Sequence, residues 1–198
     1  MQQKTSFIQR LIDKITPASV TTYTRSEQPK NNQISPDALK YLASVGAIET
    51  QGLGVGPDGV VTAPRDMKKG VTYRPATDTE RYGYSKFSGD QNLGRDLGLY
   101  QVTEGTLKTY GPRFLGQPIG SNEFLASTTA QDKYINNMYD YYKKQGYTPQ
   151  QIADIHNQGY KNSGNPGSNS YQNPDYVGNF DKNFKATTTP TFVPSFAR

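Results

Sequence analysis

The chain has 198 residues with a hydrophobic share of 33% and a mean hydropathy of −0.81, below the roughly 45–50% apolar of an ordinary soluble domain, so a core packed uniformly along its whole length is excluded. Cys is absent and His occurs once, which excludes a disulfide framework, a thiolate nucleophile and any cysteine or multi-histidine metal site. The net charge of +5 suits a polyanionic neighbour without specifying it, and 15 Tyr argue against a fully disordered chain. No segment reaches the roughly 18 consecutive apolar residues of a transmembrane span. The first 20 residues lack the uninterrupted apolar stretch of an export signal, so no export by the usual route is expected.

In chain order, Phe7, Ile8, Leu11, Ile12 and Ile15 fall on a helical spacing with Arg10 and Lys14 between them, and predict a short amphipathic helix over 5–15 that stops before Pro17. Residues 16–34, rich in Thr, Ser, Asn and Gln, read as a linker. Ser35-Pro36 is a cap followed by Pro at the first helical position. The helix it opens runs to about Glu49, with Leu39, Leu42, Ala43 and Ala47 on one side and Tyr41, Val45 and Ile48 on another, a pattern of burial all round. Residues 51–97 read as irregular, with one short hairpin around Val60 and Val71–Tyr73. Thr103 caps a helix expected to end at Gly111-Pro112, and Ser121 caps a short one around Phe124 and Leu125. Thr128-Thr129-Ala130-Gln131 has capping-box spacing and opens a helix to about Gln145, stopped by Gly146. Thr148-Pro149-Gln150-Gln151 is a second capping box, leading a helix to about Asn157. The remainder, crowded with Asn, Ser, Gly, Thr and Pro, reads as an extended tail whose sparse aromatics, among them Tyr171, Tyr176, Phe180 and Phe184, are anchors. The expected architecture is mainly α: an N-terminal helix and linker (1–34), a small helical domain with a long irregular insertion (35–160), and an extended C-terminal arm (161–198).

Three features carry candidate chemistry. Glu49 ends the buried helix, and the positions three, four and seven before it are Gly46, Val45 and Leu42, so its carboxyl continues a close-packed apolar face. Desolvation there favours the neutral acid, which is what a general acid needs near neutral pH. Gly98-Leu99-Tyr100-Gln101-Val102-Thr103 is a Gly turn before a helix, with an amide that offers both donor and acceptor to a sugar. Ile152 through Tyr160 form an apolar helix ending in Asn157-Gln158-Gly159-Tyr160.

In this order the three segments resemble the motifs of the lysozyme-like superfamily, specifically lytic transglycosylases and phage virion-associated muramidases. The first motif of that family, a core helix ending in Ile-Glu-Ser-Gly, is matched by Ala47-Ile48-Glu49-Thr50-Gln51-Gly52. The second, a Gly-Leu-Met-Gln turn, is matched by Gly98-Leu99-Tyr100-Gln101. The third, a helix ending in Asn-x-Gly, is matched by Asn157-Gln158-Gly159, and Phe124 through Asp132 is similar to the family helix that opens with a Gln and a carboxylate. The resemblance covers about residues 35–160. It implies a lysozyme-like domain that cleaves the bond between N-acetylmuramic acid and N-acetylglucosamine in peptidoglycan glycan strands, with no metal and no cofactor. Glu49 would be the acid/base, Gln101 would contact the sugar near the scissile bond, Tyr100 would line the groove, and Asn157 and Tyr160 would shape its far wall, with Glu49, Gln101 and Asn157 facing one groove.

The stretch between Glu49 and Gln101 is longer than the family pattern and supplies rival carboxylates. Glu80 is the nearest rival, and Asp90 or Asp96 are the candidates if a second carboxylate acts, as in a two-carboxylate hydrolase. The expected setting is a bacteriophage virion, as a tail or internal protein acting at the host periplasm and cell wall during genome delivery. Its arms would be held by other virion proteins in an oligomeric particle. The alternative is a catalytically inactive tail or adaptor protein that keeps the scaffold, since a fold does not guarantee its chemistry. A specific nucleic-acid interface is disfavoured, because Lys and Arg are scattered.

Overall fold

The computed structural model describes residues 34–50, 52–159 and 165–187. The helix expected at 5–15, nearly all of the 16–34 linker, and Tyr160 lie outside the described residues.

Helix α1 spans Pro36–Glu49. Ser35 Oγ accepts from the Ala38 amide at 3.2 Å, and Pro36 occupies the first turn, where its missing N–H costs nothing. At the far end the Thr50 N–H and hydroxyl both return to the Gly46 carbonyl, at 3.2 and 2.7 Å, and close the last turn. Ala38, Tyr41, Leu42 and Val45 are buried, but Pro36, Asp37 and Ala47 face solvent, so burial is extensive rather than complete.

The region expected to be irregular, 51–97, holds five short strands, which with Val102–Thr103 form two three-stranded antiparallel sheets. In the first, β1 (Gly54–Val55) lies between β2 (Val61–Thr62) and β3 (Arg74–Pro75), and Val55 pairs with both Val61 and Arg74. The hairpin is therefore shifted from the expected position: Val60 precedes β2, whose partner is β1, and residues 71–73 precede β3. Leu53, Val55 and Ala76 form a small core of its own. Helix α2 (Asp78–Gly83) follows, opened by a full capping box between Thr77 and Glu80. The second sheet has the order β4 (Ser85–Phe87), β5 (Arg95–Leu97), β6 (Val102–Thr103), and its register sets Lys86 opposite Asp96.

Helix α3 (Glu104–Leu115) is capped by Thr103 and runs through Pro112 instead of ending there. The buried Phe114 and Leu115 hold its last turn in the core, and Gly116 ends it in a left-handed conformation. Helix α4 (Ser121–Ala126) starts one residue earlier than expected, at Gly120, and α5 (Thr128–Lys144) is capped by Ser127, whose hydroxyl accepts from the Ala130 amide. Helix α6 (Pro149–Gln158) has the expected capping box, with Thr148 and Gln151 satisfying each other's backbone amides.

The C-terminal arm expected to be extended is corrected over 174–186, which form helix α7 (Pro174–Ala186). Asn173 caps it, Pro174 enters its first turn, and Tyr176, Val177 and Phe180 recur at helical spacing and are buried. It packs on α1 and α6. The main core lies between these helices, α5 and the second sheet, and is unusually rich in tyrosine. Tyr41 and Tyr139 meet with ring centroids 4.6 Å apart, and Tyr41 and Phe180 at 5.4 Å. The fold is thus mainly α, and no helix among the described residues is long and apolar enough to cross a membrane.

One contact fixes the turn between β5 and β6. Gln131, fully buried on α5, accepts from the Leu99 amide at 2.9 Å and donates to the carbonyls of Tyr82 at 2.9 Å and Phe124 at 3.1 Å. The amide can approach so closely because residue 98 is Gly, with φ of 69° and no room for a Cβ against the Gln131 carboxamide. Gly98→Ala is therefore expected to cost about 3 kcal/mol or more, combining left-handed strain with displacement of a buried hydrogen-bonding amide. Urea unfolding followed by circular dichroism measures this, and a loss below 1 kcal/mol contradicts the role given to Gln131.

Candidate active site

Glu49 sits on the last turn of α1, behind the buried Leu42, Val45 and Gly46. Its Oε1 accepts a hydrogen bond from the Tyr176 hydroxyl of α7 at 2.7 Å, and His156 Nε2 of α6 stands 3.6 Å from the same oxygen. Oε2 has no hydrogen bond among the described residues. Burial pushes the carboxyl up from 4.5 to about 7; the Tyr176 hydrogen bond and the Lys86 charge oppose this, and the Asp96 charge adds to it. His156 is pushed the other way, down to about 4, because burial penalises its cation more than its hydrogen bond supports it. Between about pH 4 and 7 both groups are neutral.

The Gly98–Gln101 turn closes on this cluster. The Leu99 side chain fills the space beside Gly46, where a Cβ would lie 3.2 Å from it, so the turn packs against the last turns of α1. The Tyr100 carbonyl lies 2.9 Å from His156 Nε2, and since a carbonyl only accepts, that nitrogen carries the hydrogen. Gln101 has φ of 49°, in a region that favours glycine, and its Nε2 donates back to the Gly98 carbonyl at 2.6 Å. Its Oε1 is buried without a partner. The three segments singled out in the sequence thus meet through His156, which bridges the end of α1 and the turn.

Comparison with protein-family models, curated proteins and solved structures finds no match to this chain.

The other expected residues divide. Tyr100 is fully buried, with its hydroxyl donating to Asp132 at 2.8 Å, so its ring belongs to the core and the expectation that it lines a groove is corrected. Asp132 is itself buried and also accepts from the Tyr82 hydroxyl, at 2.5 Å, which is why the ring is drawn inward. Asn157 Oδ1 accepts from Asn173 Nδ2 at 2.9 Å, and Asn173 caps α7, so Asn157 steadies the helix that delivers Tyr176. Of the rival carboxylates, Glu80 is held by Arg74 at 2.9 and 2.6 Å and by the Thr77 amide, which lower it to about 2 and keep it ionised. Asp90 binds the Asn92 amide in its own exposed loop. Asp96 is different: half-buried on the central strand of the second sheet, raised by burial and 3.8 Å from Lys86 Nζ, it lies close enough to Glu49 to affect it.

Tyr176 escapes a reading of the sequence because it is 127 positions from Glu49, although Asn173-Pro174 and the spacing of Tyr176, Val177, Phe180 and Phe184 signal its helix. Among the described residues no three His, Cys, Asp or Glu side chains converge as a metal-binding group. The site can hold one proton on a carboxyl near neutrality and release it, with a neutral His and a Tyr donor beside it.

Two outcomes follow from the shifted carboxyl. Because its folded pKa of about 7 exceeds the unfolded 4.5, the stability it confers is full below about pH 4.5 and is lost as the pH rises to 7. Glu49→Gln, which keeps an acceptor for Tyr176 and cannot ionise, should therefore be more stable than wild type at pH 8, by up to about 3 kcal/mol, with the gap closing toward pH 4.5. Thermal unfolding across this range reads it. Tyr176→Phe removes the hydrogen bond that supports the carboxylate and should raise the Glu49 pKa further, read by carboxyl carbon NMR; a fall contradicts the assignment.

Proposed function

We propose that the protein is a peptidoglycan-cleaving enzyme of lytic transglycosylase type with Glu49 as its general acid and base. The observation that carries this reading is a carboxyl poised at about 7 on the end of a buried helix, joined through His156 to a turn bearing an unpaired amide oxygen. Glu49 donates its proton to the glycosidic oxygen as the bond from the muramoyl C1 breaks. The carboxylate left behind takes the proton of the muramoyl 6-hydroxyl, whose oxygen closes on C1, so that a 1,6-anhydro sugar forms and Glu49 is again protonated. Gln101 gives one amide N–H to the Gly98 carbonyl and keeps a second N–H and an unpartnered Oε1, the groups by which it would contact a sugar. Asp96 is a negative group that can stabilise positive charge developing at C1.

The lysozyme-like character of the helical domain, the virion setting, and the contacts of the two chain ends with other virion proteins belong to the same proposal. They rest on the order of the three sequence motifs. The convergence of those motifs supports the reading. A catalytically inactive virion component on the same scaffold is the second reading, favoured by the position of α7, which sets Tyr176 against Glu49 and leaves only 16% of that side chain exposed.

Purified sacculi incubated with wild type and Glu49→Gln separate these. The wild type should release anhydro-muropeptides, seen by mass, and the variant none. Since the acid must be protonated, the rate should be full below about pH 7 and fall as the pH rises through that value. Reducing ends in place of anhydro sugars, lost in Asp96→Asn, point instead to a two-carboxylate hydrolase. No release from the wild type leaves the inactive scaffold.

A further inference from the structure

His156 is the only histidine of the chain and is nearly sealed, with 6% of its side chain exposed. Burying an imidazole costs a titratable group its solvation, and an apolar residue would fill an interior position on α6 without that cost. The position of the ring shows what it does. Its Nε2–H donates to the Tyr100 carbonyl, which belongs to the turn carrying Gln101, and the same nitrogen stands beside Glu49 Oε1 without hydrogen bonding to it. Among the described side chains, His156 alone makes a polar contact with the turn while standing beside the carboxyl.

We infer that His156 is a positioning residue: a neutral spacer that fixes the Gly98–Gln101 turn relative to Glu49 and leaves its carboxyl without a cationic partner. The inference rests on the reading of Glu49 as the acid. Oε1 already accepts from the Tyr176 hydroxyl, and the single Nε2–H of His156 is spent on the Tyr100 carbonyl. A proton on Oε1 would face the Tyr176 donor, while Oε2 has no hydrogen bond among the described residues, so the proton sits on Oε2. The spacer must be neutral. An imidazolium 3.6 Å from Oε1 would draw the carboxyl into an ion pair and remove the acid at neutral pH. Burial keeps the ring neutral, against the support its hydrogen bond to the Tyr100 carbonyl gives the cation. The titratable groups facing the pair are Tyr176 from α7, Tyr41 from α1, and Lys86 and Asp96 from the second sheet.

A single imidazole makes the test unambiguous. In wild-type protein labelled at the His156 ring, the ring signals should keep the Nε2–H tautomer and show a small step at about pH 7 as Glu49 ionises, with protonation of the ring only near pH 4. Glu49→Gln should abolish the step at 7. A full imidazolium transition near pH 6.5, or no step at 7 in the wild type, overturns the proposal whether or not the protein cleaves peptidoglycan. The second measurement is rescue. His156→Gln places an amide N–H where Nε2 was and should retain most of the cleavage rate on sacculi, whereas His156→Leu should lose roughly ten- to a hundredfold while remaining folded by circular dichroism. Equal rates in the Leu variant and wild type overturn the proposal. A wild type that shows the NMR step but releases no muropeptide refutes the acid role of Glu49 and leaves the coupling standing.

Discussion

A single carboxamide sets the position of the turn on which the site is built. Gln131 satisfies the Leu99 amide and the carbonyls of Tyr82, Phe124 and Leu125, drawing three segments together at a fully buried position. Its neighbour Asp132 gathers the hydroxyls of Tyr82 and Tyr100. Together they anchor the loop between β5 and β6 to α5. From that loop the geometry passes outward: the Tyr100 carbonyl meets His156, His156 flanks Glu49, and Glu49 meets Tyr176. A buried polar network of this kind is costly when broken, so the Glu49 cluster inherits its rigidity from groups that lie outside it.

The chain thereby places an unfavourable group on a favourable scaffold. Glu49 is held where ionising it costs stability, on a helix otherwise secured by a side-chain cap, a Pro first turn and tyrosine packing. Strain at Gln101, a non-glycine residue at φ of 49°, is concentrated in the same few ångströms. Destabilised carboxyls and strained backbone collect where a fold does chemistry, and the surrounding core bears the cost.

What the sequence shows and what it hides follow from range. The caps at Ser35 and Thr148 act over three residues, and their signals are complete in the local string. Glu49 is visible for the same reason, since the apolar face behind it is its own helix. Ser127 in place of Thr128 as the α5 cap is a one-residue ambiguity between adjacent hydroxyls that only the backbone conformation resolves. The two small sheets are hard to see because their strands are two or three residues long, too short for an alternation to register. Tyr100 and Tyr176 are hidden by distance. The first is drawn inward by Asp132, 32 positions away, and the second is carried to Glu49 by a helix whose polar composition masks its apolar spacing. Tyrosine, already counted in the low hydrophobic share, fills much of the core with ring surface.

The account turns on whether a glycan meets Glu49 from its Oε2 side with Gln101 in reach. A crystal structure of Glu49→Gln with a bound peptidoglycan tetrasaccharide measures this directly. The account predicts the scissile glycosidic oxygen within hydrogen-bond distance of the residue 49 carboxamide, on the side away from Tyr176 and His156, with the Gly98–Gln101 turn against the same sugar. A glycan seated elsewhere on the protein, with residue 49 still enclosed by α7, would contradict it.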